Sequence, residues 1–107
     1  MNPKVKKLWC AALRSGKFKQ GKKYLFKNGK YCCLGVLTEL FNRKFGKKDL
    51  GMNKGNQVLS DDVKTWAGLN DNRGDYCVIS YIYWPLGTHN YYGKTFLQIA
   101  DAIEEQL

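Results

Sequence analysis

The sequence predicts a small α+β domain, and three observations carry that expectation. Apolar residues recur at helical spacing in four stretches, each opened or closed by a capping signal. Asn28-Gly29, the strongest short hairpin signal, lies between the apolar stretches Tyr24-Leu25-Phe26 and Tyr31-Cys32. Tyr76 to Trp84 is a predominantly apolar and aromatic run that Pro85 closes. The predicted order is α, β-hairpin, α, short α, β, α in one domain over residues 1–107. The expected architecture is a small, mainly antiparallel sheet, a hairpin at about 23–32 plus a strand at about 76–84, covered on one face by helices at about 3–15, 33–45, 60–68 and 95–106.

Taken in order, Asn2-Pro3 supplies an N-cap followed by a proline at the first helical position. Val5, Leu8, Trp9, Ala12 and Leu13 then form one apolar stripe, and Ser15-Gly16 ends it. Lys17 to Lys23 reads as a basic connector. A two-residue turn at Asn28-Gly29 pairs Lys27 with Lys30, Phe26 with Tyr31 and Leu25 with Cys32. Cys33, Leu34, Leu37, Leu40 and Phe41 mark the next helix, which Gly46 stops. Gly35 in its first turn costs roughly 1 kcal/mol against Ala, so a close approach of backbone or ligand is expected there.

Lys47 to Leu59 reads as a loop, and Ser60-Asp61-Asp62 opens a short helix with its acids where the dipole favours them. Asn70 to Asp75 is a turn cluster, and Leu86 to Lys94 reads as a second loop. Thr95 and Gln98 form a capping box before the stripe Phe96, Ile99, Ala100, Ile103 and Leu107.

Charge is the largest compositional signal. The net charge is +9, and it is unevenly spread: residues 1–54 hold 15 Lys/Arg and 2 acids, residues 55–107 hold 3 Lys/Arg and 7 acids. That asymmetry points to one anion-seeking surface. Its candidate residues are Arg14, Lys17, Lys19, Lys22, Lys23 and Lys30, with Tyr24 and Tyr31 as stacking partners for a base. The three arginines of the chain are too few for extensive bidentate base readout, so a backbone-tracking surface or a pocket for a compact anion fits better. The partner expected is nucleic acid or an anionic nucleotide.

Other chemistries have less support. The four cysteines show no C-x₂-C spacing, so no metal site is expected, and no cofactor motif is present. The single histidine, His89, reads as a solvent-facing loop residue. Cys33 reads as core, and Cys32 at a helix start is the one thiol placed where a thiolate would be stabilised. A thiol-dependent enzyme or redox sensor is therefore a minor alternative. A protein–protein inhibitor is the other, with Trp84, His89, Tyr91 and Tyr92 of an aromatic 84–92 loop as anchors. No stretch approaches a membrane span and the N-terminus does not read as a secretory signal, so the expected compartment is the cytoplasm.

Ala12-Leu13-Arg14-Ser15-Gly16-Lys17-Phe18-Lys19-Gln20-Gly21 and Gly29-Lys30-Tyr31-Cys32-Cys33-Leu34-Gly35-Val36-Leu37 together resemble a family of small bacteriophage and prophage proteins. Val63 to Leu69 and Gly93 to Glu104 are similar to its later motifs. Family members usually carry Leu-Asn-Asp before the final helix, where this chain has His89-Asn90-Tyr91, so only Asn90 matches. The resemblance implies a phage or prophage origin and a host-cell cytoplasmic setting. Small phage accessory proteins often blunt host defences, so it favours a non-enzymatic binder.

Overall fold

The structure, a computed structural model, describes residues 1–48, 51–52 and 54–107. Nine elements follow in order: α1 (Pro3–Arg14), β1 (Phe26–Lys27), β2 (Lys30–Tyr31), α2 (Cys33–Phe45), α3 (Asp61–Ala67), β3 (Tyr76–Ile79), β4 (Ile82–Pro85), α4 (Leu86–Tyr91) and α5 (Phe96–Gln106). The α+β class and the four expected helices are present, each within a residue of its expected bounds. Part of the expected 47–59 loop, residues 49, 50 and 53, lies outside the described residues.

The local signals act as the sequence implies. The Asn2 side chain accepts from the N–H groups of Lys4 and Val5, and Pro3 opens α1. Ser60 caps α3, and Thr95 and Gln98 make both halves of the capping box on α5. Gly46 closes α2 in the left-handed conformation. Asn28 and Gly29 both have positive φ, and the register is Phe26 to Tyr31 and Lys27 to Lys30. Beyond that pair the hairpin departs from the expected ladder. Leu25 turns into the core and donates its N–H to Asn56 O, and Cys32 donates to Tyr24 O.

Two features differ from the expectation. Residues 76–84 are not one strand but most of a second hairpin, β3–β4, turned at Ser80 and Tyr81 with φ of 52° and 67°. The sheet is accordingly two separate two-stranded antiparallel ribbons. The stretch from Leu86 to Lys94 is not all loop: residues 86–91 form α4, which buries Leu86, His89 and Asn90.

The core is one cluster shared by α1, α2, α3, α4, α5 and the inner face of β3. Trp9, fully buried, donates its indole N–H to Cys33 O at 3.0 Å, tying α1 to the start of α2. All four cysteines are free and buried. Burial pushes the Cys33 thiol well up and the Cys77 thiol up to about 11. A thiol raised in the folded state stabilises the fold fully below the ordinary thiol pKa and loses that contribution as pH climbs through the raised value. The melting temperature is therefore expected to fall as pH rises above about 9, towards the range in which Cys77 itself titrates. Thermal melts under reducing conditions at stepped pH check this, and Cys77→Ala should flatten the decline.

Candidate anion-binding site

The basic connector between α1 and β1 lacks regular structure, but its backbone is pinned. Gly21 donates to Tyr31 O, and Tyr31 donates to Lys19 O, so the connector runs as a third, irregular strand beside β2. Two amide side chains lock it from below. Asn90 on α4, 1% exposed, donates to Gly21 O at 2.8 Å and Lys22 O at 2.9 Å. Its Oδ1 accepts from Cys33 N at 3.1 Å and from Gln20 Nε2 at 2.9 Å. Gln20 also donates to Lys94 O and accepts from Phe96 N, which ties the connector to the start of α5. Buried polar groups are costly unless paired, and here every hydrogen-bonding atom of both amides has a partner.

The lysines carried by this segment point outward. Lys17, Lys19, Lys22, Lys23, Lys27 and Lys30 are all exposed, and among the described residues none makes an ion pair with a carboxylate. Arg14 stands apart from them. Its guanidinium forks onto Asp101 at 2.8 Å and Glu104 at 3.0 Å of α5, where it holds the Glu104 carboxyl below its ordinary range. Its charge is thus met within the fold and its contact is helix to helix.

The stacking residues are also redistributed. Tyr31 is half-buried between Phe18 and Phe26, with ring centroids at 5.1 and 4.8 Å, and burial raises its phenol pKa. Tyr24 carries the ammonium groups of Lys27 and Lys23 over its ring at 4.6 and 5.7 Å. Neither ring is an open platform.

Two of the exposed aromatics line a cleft together with the connector. Tyr91 and Tyr92, 46% and 65% exposed, close α4, and Tyr92 leans on Trp84 with centroids 5.0 Å apart. His89 is not the surface residue the sequence suggests: it is fully buried, and its Nε2 lies 2.8 Å from Cys77 O, to which it donates. Among the described residues its Nδ1 has no partner. His89 is therefore a core contact between α4 and β3, and is unable to anchor a partner from the surface.

The cleft has a volume of about 350 Å³. Lys22 and Lys23, Tyr91 and Tyr92, the buried Cys32 and Leu34, and Arg73 are among the residues that line it. The lining contains no acidic side chain. Arg73 is held by Asp71 through Nε and Nη2 at 3.0 and 2.9 Å, which keeps that carboxyl below its ordinary range. A second hollow of about 270 Å³ shares Lys22 and Lys23 and adds Lys27 and Lys30. Two members of each group that the sequence offers as rival sites, Lys22 and Lys23 of the lysines and Tyr91 and Tyr92 of the 84–92 segment, thus line one cleft. Arg73, Gln20 and Asn90 escape sequence reading because their roles depend on contacts from segments distant in the chain.

Thiol chemistry gains no support from this setting. Cys32 lies at the start of α2, and the N–H groups of Gly35 and Leu34 lower its pKa, but burial outweighs them and the thiol is raised. The protonated form is the poor nucleophile. Among the described residues no group of His, Cys, Asp and Glu side chains is arranged to hold a metal ion, and no helix is long and apolar enough to cross a membrane. A family model described as Domain of unknown function (DUF8296) matches residues 1–107. No curated protein and no solved structure matches the chain.

Proposed function

The chain belongs to the DUF8296 family, and we propose that it works by binding an anionic partner, nucleic acid or a nucleotide, on the lysine surface of residues 17–30, without transforming it. One observation carries this reading. Six exposed lysines, without carboxylate partners among the described residues, are mounted on a backbone that two hydrogen-bonded amides, buried Asn90 and half-buried Gln20, hold fixed. A merely solvated lysine face needs no such anchoring. Like charges held close repel one another, and a bound anion relieves that repulsion. Fixing the loop before binding also lowers the ordering cost of capture.

The setting belongs to the same proposal: a phage or prophage accessory protein in the host cytoplasm, where a binder of this kind would withhold a nucleic acid or nucleotide signal from host defence. Capture of a host protein through the 84–92 segment is the weaker reading, since His89 is in the core and Tyr91 and Tyr92 already line the cleft.

The test is salt dependence. Affinity for a labelled oligonucleotide is expected to fall steeply between about 50 and about 200 mM salt, in proportion to the phosphates neutralised. Replacing Lys22 and Lys23 by Gln should reduce the slope of log affinity against log salt by about 2. An affinity that stays flat across that range, or lysine variants that leave the slope unchanged, would overturn the electrostatic reading.

A further inference from the structure

Resting on that anion-binding reading, the geometry points to a free nucleotide carrying at least two phosphates as the ligand, its base against Tyr91 and Tyr92 and its phosphates across the Lys22–Lys23 ridge. Three features separate this ligand from a bare anion and from a nucleic-acid strand.

The first is the pairing of opposite chemistries in one cleft. Its lining combines the cationic Lys22 and Lys23, the aromatic Tyr91 and Tyr92 and the apolar Cys32 and Leu34. An inorganic anion has no use for the aromatic rings, and an apolar ligand none for the lysines. A nucleotide uses both, since every base has a π-face and every phosphate a charge.

The second is the way the aromatic pair is held. Tyr92 rests on Trp84, and Tyr91 meets Tyr92 edge-on at 87° with centroids 5.0 Å apart. The Trp84 ring in turn packs against buried His89 at 5.6 Å. These contacts fix the orientation of rings that are still 46% and 65% exposed. A platform ordered in advance loses little side-chain freedom when a base stacks on it.

The third is extent. The cleft is about 350 Å³, within the range of small-ligand pockets. Lys22 and Lys23 border both this cleft and the neighbouring hollow of about 270 Å³, where Lys27 and Lys30 provide further charge. A base in the first space leads its phosphate chain over the ridge into the second. The two spaces together suit one nucleotide rather than a run of bases, because Tyr24 and Tyr31 beyond the ridge are covered by lysines or packed by phenylalanines.

Calorimetric titration of the whole chain with ADP, UDP, inorganic pyrophosphate and decathymidylate tests this. Both nucleoside diphosphates are expected to bind about tenfold tighter than pyrophosphate, the order of one base–aromatic stack. Tyr91→Leu with Tyr92→Leu should bring them down to the pyrophosphate level and leave pyrophosphate binding unchanged. Lys22→Gln with Lys23→Gln should weaken all three ligands. These side chains are exposed, and circular dichroism of each variant is the check that it folds. Equal binding of pyrophosphate and nucleotides would overturn the nucleotide assignment and leave anion binding standing. So would salt-dependent binding of decathymidylate with no binding of ADP or UDP. Failure of all four ligands would overturn both.

Discussion

Replacing Gly35 by alanine is expected to destabilise the protein by about 3 kcal/mol or more, against the roughly 1 kcal/mol gain that helix propensity alone would give. Gly35 lies in the first turn of α2, against the backbone of Leu25. A Cβ there would fall inside the van der Waals shell of the Leu25 carbonyl oxygen, and the Leu25 carbonyl carbon would be only 2.6 Å away. The obstruction is backbone, not a side-chain tip, so no rotamer change relieves it. Leu25 is itself fully buried and donates its N–H to Asn56 O, which limits how far this segment can retreat. Relief requires α2 and the first hairpin to part. Urea denaturation of Gly35→Ala checks the sign, and a stabilised variant would show that the contact is looser than the structure has it.

Asn90→Ala is expected to cost about 3 kcal/mol, because one side chain satisfies four partners and its loss strands several of them away from water. The partners are Gly21 O, Lys22 O, Cys33 N and Gln20 Nε2, drawn from the connector and the start of α2. Asn90→Asp is the sharper probe. It keeps the volume and the acceptor but replaces two donations with a carboxylate oxygen set against two carbonyls. The connector should then loosen while the helices persist. Hydrogen exchange at the Gly21 and Tyr31 amides should speed up, and anion affinity should drop at temperatures where the variant remains folded. Unchanged exchange at those two amides would mean that the connector is held by its contacts with β2 alone.

These two residues show how unevenly the fold can be read from the chain. Gly35 is legible as an anomaly: a glycine inside a helical stripe announces a close approach, though not what approaches. Asn90 stands out only through the motif match and announces none of its partners, since a lone Asn among aromatics reads as turn chemistry. The hairpin at Asn28-Gly29 is legible because both residues favour positive φ. The hairpin at Ser80-Tyr81 is not, because neither residue favours that conformation, and its place is set by β3 packing inward on the core. Residues 86–91, with Gly87, Thr88 and Asn90, have little intrinsic helicity. They become α4 with help from outside it: Leu86 and Gly87 donate their first-turn N–H groups to Asp75 O and Arg73 O, and three of the six side chains are buried.

The sequence by itself determined the class, the four longer helices with their caps, the register of the first hairpin and the segregation of positive charge, because each rests on neighbours within a few positions. Only the tertiary structure decided which charges are free and which rings are open. Arg14 is met by two acids of α5, about ninety positions away, and Tyr31 is enclosed by Phe18 and Phe26. Lys22 and Lys23 instead line one cleft with Tyr91 and Tyr92, where Asn90 ties the connector to α4. Such long-range pairings leave no periodicity or spacing in the chain, because they arise from burying polar groups that must each find a partner once water is excluded.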